Sequence, residues 1–249
     1  MSRGPTPERR SDAMGLKDWL LDLLFPPKCP ICGKIQDASG ICPACWNGLS
    51  RTEGPEQEQI LPDGSRCAAP LWYEDLVRDC FLRLKFGGVT GAAGELGGLI
   101  ADCAAEHFDG EFDLVTWVPV SRRRLRKRGY DQTQLLAEAA CRSWGIRPVR
   151  LLRKTVHNRA QSGLENADAR RTNVRGVYRA DSAAVRGRRV LLIDDIVTTG
   201  STLSECAKVL REAGAESVVC AAAARTRHGA AVKSDRKPEE PAAVFCGKE

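Results

Sequence analysis

From Val190 to Thr202 the chain reads VLLIDDIVTTGST. Val190 to Ile193 are four consecutive apolar residues, the pattern of a strand buried on both faces, as in a parallel sheet. Asp194 and Asp195 stand where that strand is expected to end. Thr198, Thr199, Gly200, Ser201 and Thr202 follow, and then a helical stretch. The carboxyl end of a parallel strand opens into the crevice where open α/β sheets bind ligands. Carboxylates there accept hydrogen bonds from neighbouring ribose hydroxyls. The loop offers backbone N–H groups, hydroxyls and a helix N-terminus, which suit a phosphate monoester. Gly200 allows close backbone approach. Ribose beside phosphate describes a 5-phosphoribosyl group. A Walker-B-like metal pair is disfavoured because no G-x-x-x-x-G-K-[ST] occurs in the chain. An ordinary strand–loop–helix corner would not need the ordered succession of apolar, acidic and hydroxyl/Gly residues.

Outward from this stretch, helices and strands alternate. Residues Gly91 to His107 and Tyr130 to Trp144 read as helices and Asp113 to Val120 as a buried strand. Ser201 to Ala213 reads as a helix ended by Gly214, and Ser217 to Ala224 as a further strand. The alternation implies an α/β fold with a mostly parallel sheet flanked by helices. Thr155 to Val174 is polar and aperiodic, a loop long enough to be functional or mobile. At 249 residues the chain exceeds one ordinary domain. The division expected is a disordered tail over residues 1–13, a small module over 14–66, the main domain over 67–227 and a second tail over 228–249. The module would open with an amphipathic helix carrying Leu16, Trp19, Leu20, Leu23 and Leu24, and Arg51 to Ser65 reads as linker or loop. No run of 18 apolar residues occurs, so no membrane insertion is expected.

Cys29, Cys32, Cys42 and Cys45 form C-x2-C-x9-C-x2-C. Two such knuckles complete a tetrahedral zinc site, and four thiolates leave no position for a catalytic water, so the Zn2+ should be structural. Gly33 is placed for the tight turn of the first knuckle. Loss of this metal is expected to loosen the module and leave the main domain folded. Four buried free thiols are the alternative. Eleven cysteines, an odd number, argue against a secreted disulfide frame and for a cytoplasmic protein. Cys80, Cys103, Cys141, Cys206 and Cys220 fall in apolar segments and read as core residues.

The net charge of +6 is unevenly spread. Ser121 to Arg179 holds 16 Lys/Arg against 4 Asp/Glu, an excess suited to polyanions. Arg122, Arg123, Arg124, Arg126, Lys127 and Arg128 crowd into seven residues. They could form a solvated loop, hold a diphosphate or follow a nucleic-acid backbone. With only Tyr130 and Trp144 interleaved, strand binding would be driven by the backbone and sensitive to salt.

Residues 190–202 resemble the phosphoribosyl-diphosphate (PRPP) motif of type I phosphoribosyltransferases. With the four cysteines ahead of it, the chain is similar to the ComF family, competence protein F and its relatives. Tyr73, Leu84-Lys85-Phe86, Val118-Pro119-Val120, Arg128-Gly129-Tyr130-Asp131-Gln132, Gln161-Ser162-Gly163-Leu164 and Arg170-Arg171-Thr172-Asn173-Val174 run in family order. The family more often has Phe-Asn at Tyr130-Asp131 and Pro at Ala160. Many members carry further cysteines, of which Cys67 would be a remnant. The resemblance implies a parallel sheet with a hood, a pyrophosphate loop at Val120, Ser121, Arg122 and Arg123, and a flexible cover at Thr155 to Val174. It also implies Mg2+ bridging ribose hydroxyls and pyrophosphate, and a role in natural transformation. Two functions follow as expectations. One is a Mg2+-dependent transferase acting on PRPP, with Asp194 and Asp195 holding the sugar and offsetting charge developed as pyrophosphate leaves. The other is a binding protein that holds single-stranded DNA or a partner helicase, with Arg124, Arg126, Lys127 and Arg128 on the strand. No residue is recognisable as the base for a nucleophile.

Overall fold

The computed structural model describes residues 26–155 and 176–227. The expected tails, the amphipathic helix at Leu16 to Leu24 and nearly all of the stretch from Thr155 to Val174 lie outside them. The described chain opens with the cysteine knuckles and a short helix, α1 (Pro43–Asn47), then a 3-10 turn at Gly54–Gln57. There follow β1 (Glu58–Ile60), β2 (Arg66–Ala68), β3 (Leu71–Trp72), α2 (Asp75–Phe86), α3 (Ala93–Phe108) and β4 (Leu114–Trp117). Next come α4 (Arg122–Arg128), α5 (Gln132–Ser143), β5 (Leu152–Lys154), β6 (Tyr178–Ala180) and α6 (Ser182–Val185). The chain continues through β7 (Arg189–Val197), α7 (Ser201–Glu212) and β8 (Ser217–Arg225).

The main sheet runs β1-β2-β8-β7-β4, with β3 also pairing β8. Every pairing in it is parallel except β1 with β2. The α/β reading therefore holds. Two local readings are corrected. The stretch read as linker carries a 3-10 turn and an edge strand, because Glu58 to Ile60 pairs antiparallel with β2 around the turn at Asp63 and Gly64. Arg66 secures this hairpin through Glu58 at 2.6 Å and Glu111 at 2.7 Å. And β7 does not end at Ile193. It runs through both carboxylates, with Asp194 beside Ala222, Ile196 beside Ala224 and Val197 beside Arg225. The neighbouring strand β8 extends as far and supplies the partners that keep the ladder going.

Side chains alternate across a strand, and β7 shows it in its packing. Leu191 and Ile193 join a core with α2, α3 and α5, built on Phe81, Leu84, Leu96, Ile100, Phe108 and Leu136. Val190 and Leu192 join a core on the other face with Leu152, Tyr178, Leu203 and Leu210. Burial of both faces explains why Val190 to Ile193 are all apolar and do not alternate. On the first face α3 and α5 cross closely at Gly97, where a Cβ would stand 2.3 Å from that of Ala139. Cys29, Ile31, Cys45 and Leu49 of the cysteine module belong to the same core as α2 and α3.

Candidate phosphoribosyl site and zinc module

At the carboxyl end of β7 the two carboxylates meet different surroundings. Asp195 points to the α2/α5 face. Its Oδ2 lies 3.1 Å from Lys85 Nζ, in the last turn of α2. The same oxygen accepts from Gln132 Nε2 at 3.0 Å, and Oδ1 accepts the Ile196 N–H at 2.7 Å. Arg128 fixes the Gln132 amide, since its guanidinium donates to Gln132 Oε1 at 2.6 Å and turns the NH2 toward Asp195. Tyr130 Oη donates to the Leu84 carbonyl, one of the last-turn carbonyls of α2 that lack a helical partner, and so steadies Lys85. Burial pushes the Asp195 carboxyl up, but Lys85 and the donors from Gln132 and Ile196 outweigh it and hold it below the usual range. Asp194 has no such cation bound to it. Its Oδ1 accepts the Asp195 N–H at 2.8 Å, and burial together with the neighbouring Asp195 charge raises it well above the ordinary value.

One hollow is lined by Asp194 and the loop residues Thr198, Thr199, Gly200, Ser201 and Thr202, with Ile196, Val197 and Leu203. The helix α7 begins there with no side-chain cap from Gly200, and the Ser201 N–H reaches only the Thr199 hydroxyl, at 3.5 Å. The Thr199 and Ser201 hydroxyls lie 2.8 Å apart and satisfy each other. The loop residues that the sequence singles out thus line one hollow together with Asp194. Gly200 has a structural reason of its own. Its φ is +72°, and an added Cβ would lie 2.7 Å from Leu61 and 3.2 Å from Pro62 in the β1–β2 hairpin. It is required by backbone conformation and by the hairpin packed behind it.

The stretch Val120 to Arg123 leaves β4 beside β7, with the Val118 N–H bonded to the Ile193 carbonyl at 2.9 Å. It is a loop only as far as Ser121. The Val120 N–H donates to Asp131 Oδ2 at 3.0 Å. Ser121 is the N-cap of α4, its hydroxyl accepting the Arg124 N–H at 3.3 Å. Arg122 and Arg123 are therefore helical, and the basic run is the helix α4 and not a loop. Arg122, Arg123, Arg124, Arg126 and Lys127 are exposed and Arg128 is half-buried. Lys85 and Gln132, to which the sequence assigns no role, are the side chains that hold Asp195. The available signal for Lys85 was a single cation between the apolar Leu84 and Phe86.

In the amino-terminal module the sulfurs of Cys29, Cys32, Cys42 and Cys45 lie within 4.8 Å of one another, with Cys32 Sγ and Cys42 Sγ 3.8 Å apart. Zn–S bonds of about 2.3 Å in a tetrahedron put sulfurs about 3.8 Å apart, so the donor set fits Zn2+. The Cys42 N–H points to Cys29 Sγ at 3.4 Å, and Gly33 takes φ +73° in the first knuckle. Burial raises the Cys29 thiol, but backbone N–H groups of Cys42, Cys32 and Ile31 bring it down to about 6, toward the thiolate a metal needs. Among the described residues these four are the one such group. Cys67 is buried in β2, as Cys80, Cys103, Cys141, Cys206 and Cys220 are in the core.

The fold and this pair of features define a phosphoribosyltransferase-type α/β protein with an amino-terminal zinc-ribbon module. Residues 147–245 match the phosphoribosyl transferase domain family, and residues 20–81 match the double zinc ribbon domain family. Competence protein ComFC of Streptococcus pneumoniae is 30% identical over 179 residues, covering 71% of this chain and 77% of the relative. That of Bacillus subtilis is 25% identical over 186 residues, covering 75% and 72%. Competence protein F of Haemophilus influenzae is 37% identical over 107 residues, covering 41% of this chain and 45% of the relative, so the chain spans less than half of that protein. The chain belongs to the ComF family.

Proposed function

We propose that this protein binds a PRPP-type phosphoribosyl ligand at the carboxyl end of β7 and serves DNA uptake in the cytoplasm. The observation that carries the reading is the hollow shared by Asp194, the Thr198 to Thr202 loop and the uncapped start of α7. A 5-phosphate would sit on the loop N–H groups, and the ribose hydroxyls would donate to the carboxylate at the hollow's edge. Mg2+ would arrive with the ligand's diphosphate and would offset its negative charge. Transfer chemistry would draw on the same parts: the carboxylate offsets positive charge developing at the ribose, and arginines of α4 meet the departing diphosphate. The relatives' names point to competence, which favours a DNA-handling role. No helix among the described residues is long and apolar enough to cross a membrane.

A second use of α4, as a docking helix for single-stranded DNA or an uptake helicase, is favoured by its charge. Cations at its amino end oppose the helix dipole, and Arg122/Arg126, Arg123/Lys127 and Arg124/Arg128 are like-charged pairs at i, i+4. Arg126, Lys127 and Arg128 in the last turn suit the dipole, so the cost falls on the like-charged pairs and on the amino end. A PRPP-consumption assay with candidate bases, run beside a strand-binding titration, tests both uses. Consumption supports transfer. Saturable PRPP binding without turnover supports a binding role, and no PRPP binding removes the phosphoribosyl reading.

A further inference from the structure

The two aromatic side chains that the sequence interleaves with the basic run are both engaged inside the fold. Trp144 packs on Phe112 with ring centroids 5.3 Å apart, and the Tyr130 hydroxyl donates to the Leu84 carbonyl. Among the described residues the one exposed aromatic side chain is Phe86, at 50%, the last residue of α2. It comes from another part of the chain and lies against the carboxyl end of α4, with the Arg128 guanidinium 5.2 Å from its ring centroid. Arg128 is half-buried and donates to Gln132 at 2.6 Å, so this cation is turned inward and holds the ring from one side. Arg122, Arg123, Arg124, Arg126 and Lys127 stay exposed along α4, as does Leu125, three residues before Arg128 and on the same helix face. Gly88 and Gly129, close in sequence to Phe86 and Arg128, are exposed, and a Cβ at either would meet nothing within 4 Å.

We propose that Phe86 is a stacking platform for a base of single-stranded DNA laid along α4, with Arg128 as the positioning residue that fixes the ring. The proposal rests on the reading of α4 as a strand-docking helix and supplies what that reading lacks, a contact to the bases. Phosphate contacts alone bind a strand through its charge and are indifferent to the bases. A phenyl ring adds to this with any sequence, because every base has a π face, and the gain is roughly fivefold to a hundredfold for each stacked base. Arg128 takes one face of the ring, and half of the residue's surface stays open to solvent. A ring already fixed by a guanidinium loses little freedom when a base closes on it. The exposed cations lie within two turns of Arg128 on the same helix, so one strand segment can meet both the cations and the ring. The platform was hidden in the sequence because Phe86 precedes the basic run by a whole helix and a strand.

The test uses the full chain and two single strands of equal length and charge, oligothymidine and an abasic strand. Affinities are measured by fluorescence anisotropy at several salt concentrations. The unaltered chain should bind oligothymidine at least about fivefold tighter than the abasic strand. Phe86→Leu keeps an apolar cover on Arg128 but has no π face. It should bring oligothymidine down to the affinity of the abasic strand, with the salt slope of the unaltered chain. Phe86→Trp should keep the preference. The triple variant Arg123→Ala/Arg124→Ala/Arg126→Ala should do the reverse, flattening the salt slope for both strands and keeping their ratio. A ring that merely supports the fold would weaken both strands alike in Phe86→Leu. That result, or a preference that survives in Phe86→Leu, would overturn the proposal. Equal affinity of the unaltered chain for the two strands would leave α4 as a docking helix and overturn the platform alone. No binding of either strand would remove the docking reading and the platform with it. Saturable binding of free adenine that Phe86→Leu abolishes, with the strand ratio unmoved, would assign the ring to a free base and so overturn the proposal.

Discussion

Gly200→Val puts a β-branched side chain at φ +72° and drives its Cβ into Leu61. The cost should be at least about 2 kcal/mol from backbone strain and overpacking together. Phosphate binding should weaken because the start of α7 shifts, and a denaturant titration beside ribose 5-phosphate calorimetry reads both effects. The carboxylates make a pH prediction of opposite signs. Asp195 has its folded value lowered, so its contribution to stability is complete above about 3.9, the unfolded value, and is lost as pH falls through the folded one. Asp194 has its folded value raised, so its contribution is complete below about 3.9 and is lost as pH rises through the folded value. Stability of Asp195→Asn should thus fall less steeply in acid than that of the unaltered chain, and Asp194→Asn should flatten the decline toward neutral pH. The residue types of this site were legible in the sequence, because acidic, hydroxyl and Gly residues follow one another in order. The different surroundings of the two carboxylates were not, since they depend on β7 continuing past Ile193. That continuation is set by β8, a partner far along the chain.

The helix α4 belongs to a larger scale. Its charge was plain in the sequence, but a run of six cations in seven residues has no apolar period from which a helix can be read. What makes it helical is at its ends: Ser121 accepts the Arg124 N–H, and Gly129 returns its own N–H to the Leu125 carbonyl. Both cap residues were visible, and the density of charge between them obscured the signal. Replacing Arg123, Arg124 and Arg126 by Ala should leave the fold intact, since all three are exposed and their removal relieves like-charge pairs. If α4 follows a strand, the slope of log affinity for single-stranded DNA against log salt should flatten by about 2, at about 0.7 for each phosphate no longer neutralised. Filter binding at several salt concentrations measures it. An unchanged slope would place the strand elsewhere, and unchanged binding at every salt would remove charge neutralisation as the source of affinity.

Across the molecule, the cysteine module and the phosphoribosyl domain share one apolar core. Cys29, Ile31, Cys45 and Leu49 pack with Val77, Phe81 and Leu84 of α2, and the Ile41 N–H donates to Glu95 of α3 at 2.9 Å. The zinc knuckles were legible from spacing alone. Their seat was not, because spacing gives the ligands of a metal and says nothing of what the loop rests on. A module so seated should not melt apart from the rest. Cys42→Ser is expected to lose the metal and lower the melting temperature of the whole chain by roughly 10 °C or more in a single transition. Calorimetry showing two transitions, with the upper one unmoved, would mean that the module is separable. The central claim concerns the other end of the chain, where Asp194 and the start of α7 face one hollow. Titrating PRPP with Mg2+ into the unaltered protein and into Asp194→Asn by calorimetry tests it most directly. The account predicts one saturable site per chain in the first and at least tenfold weaker binding in the second; equal affinity in the two, or no binding to the unaltered protein, would contradict it.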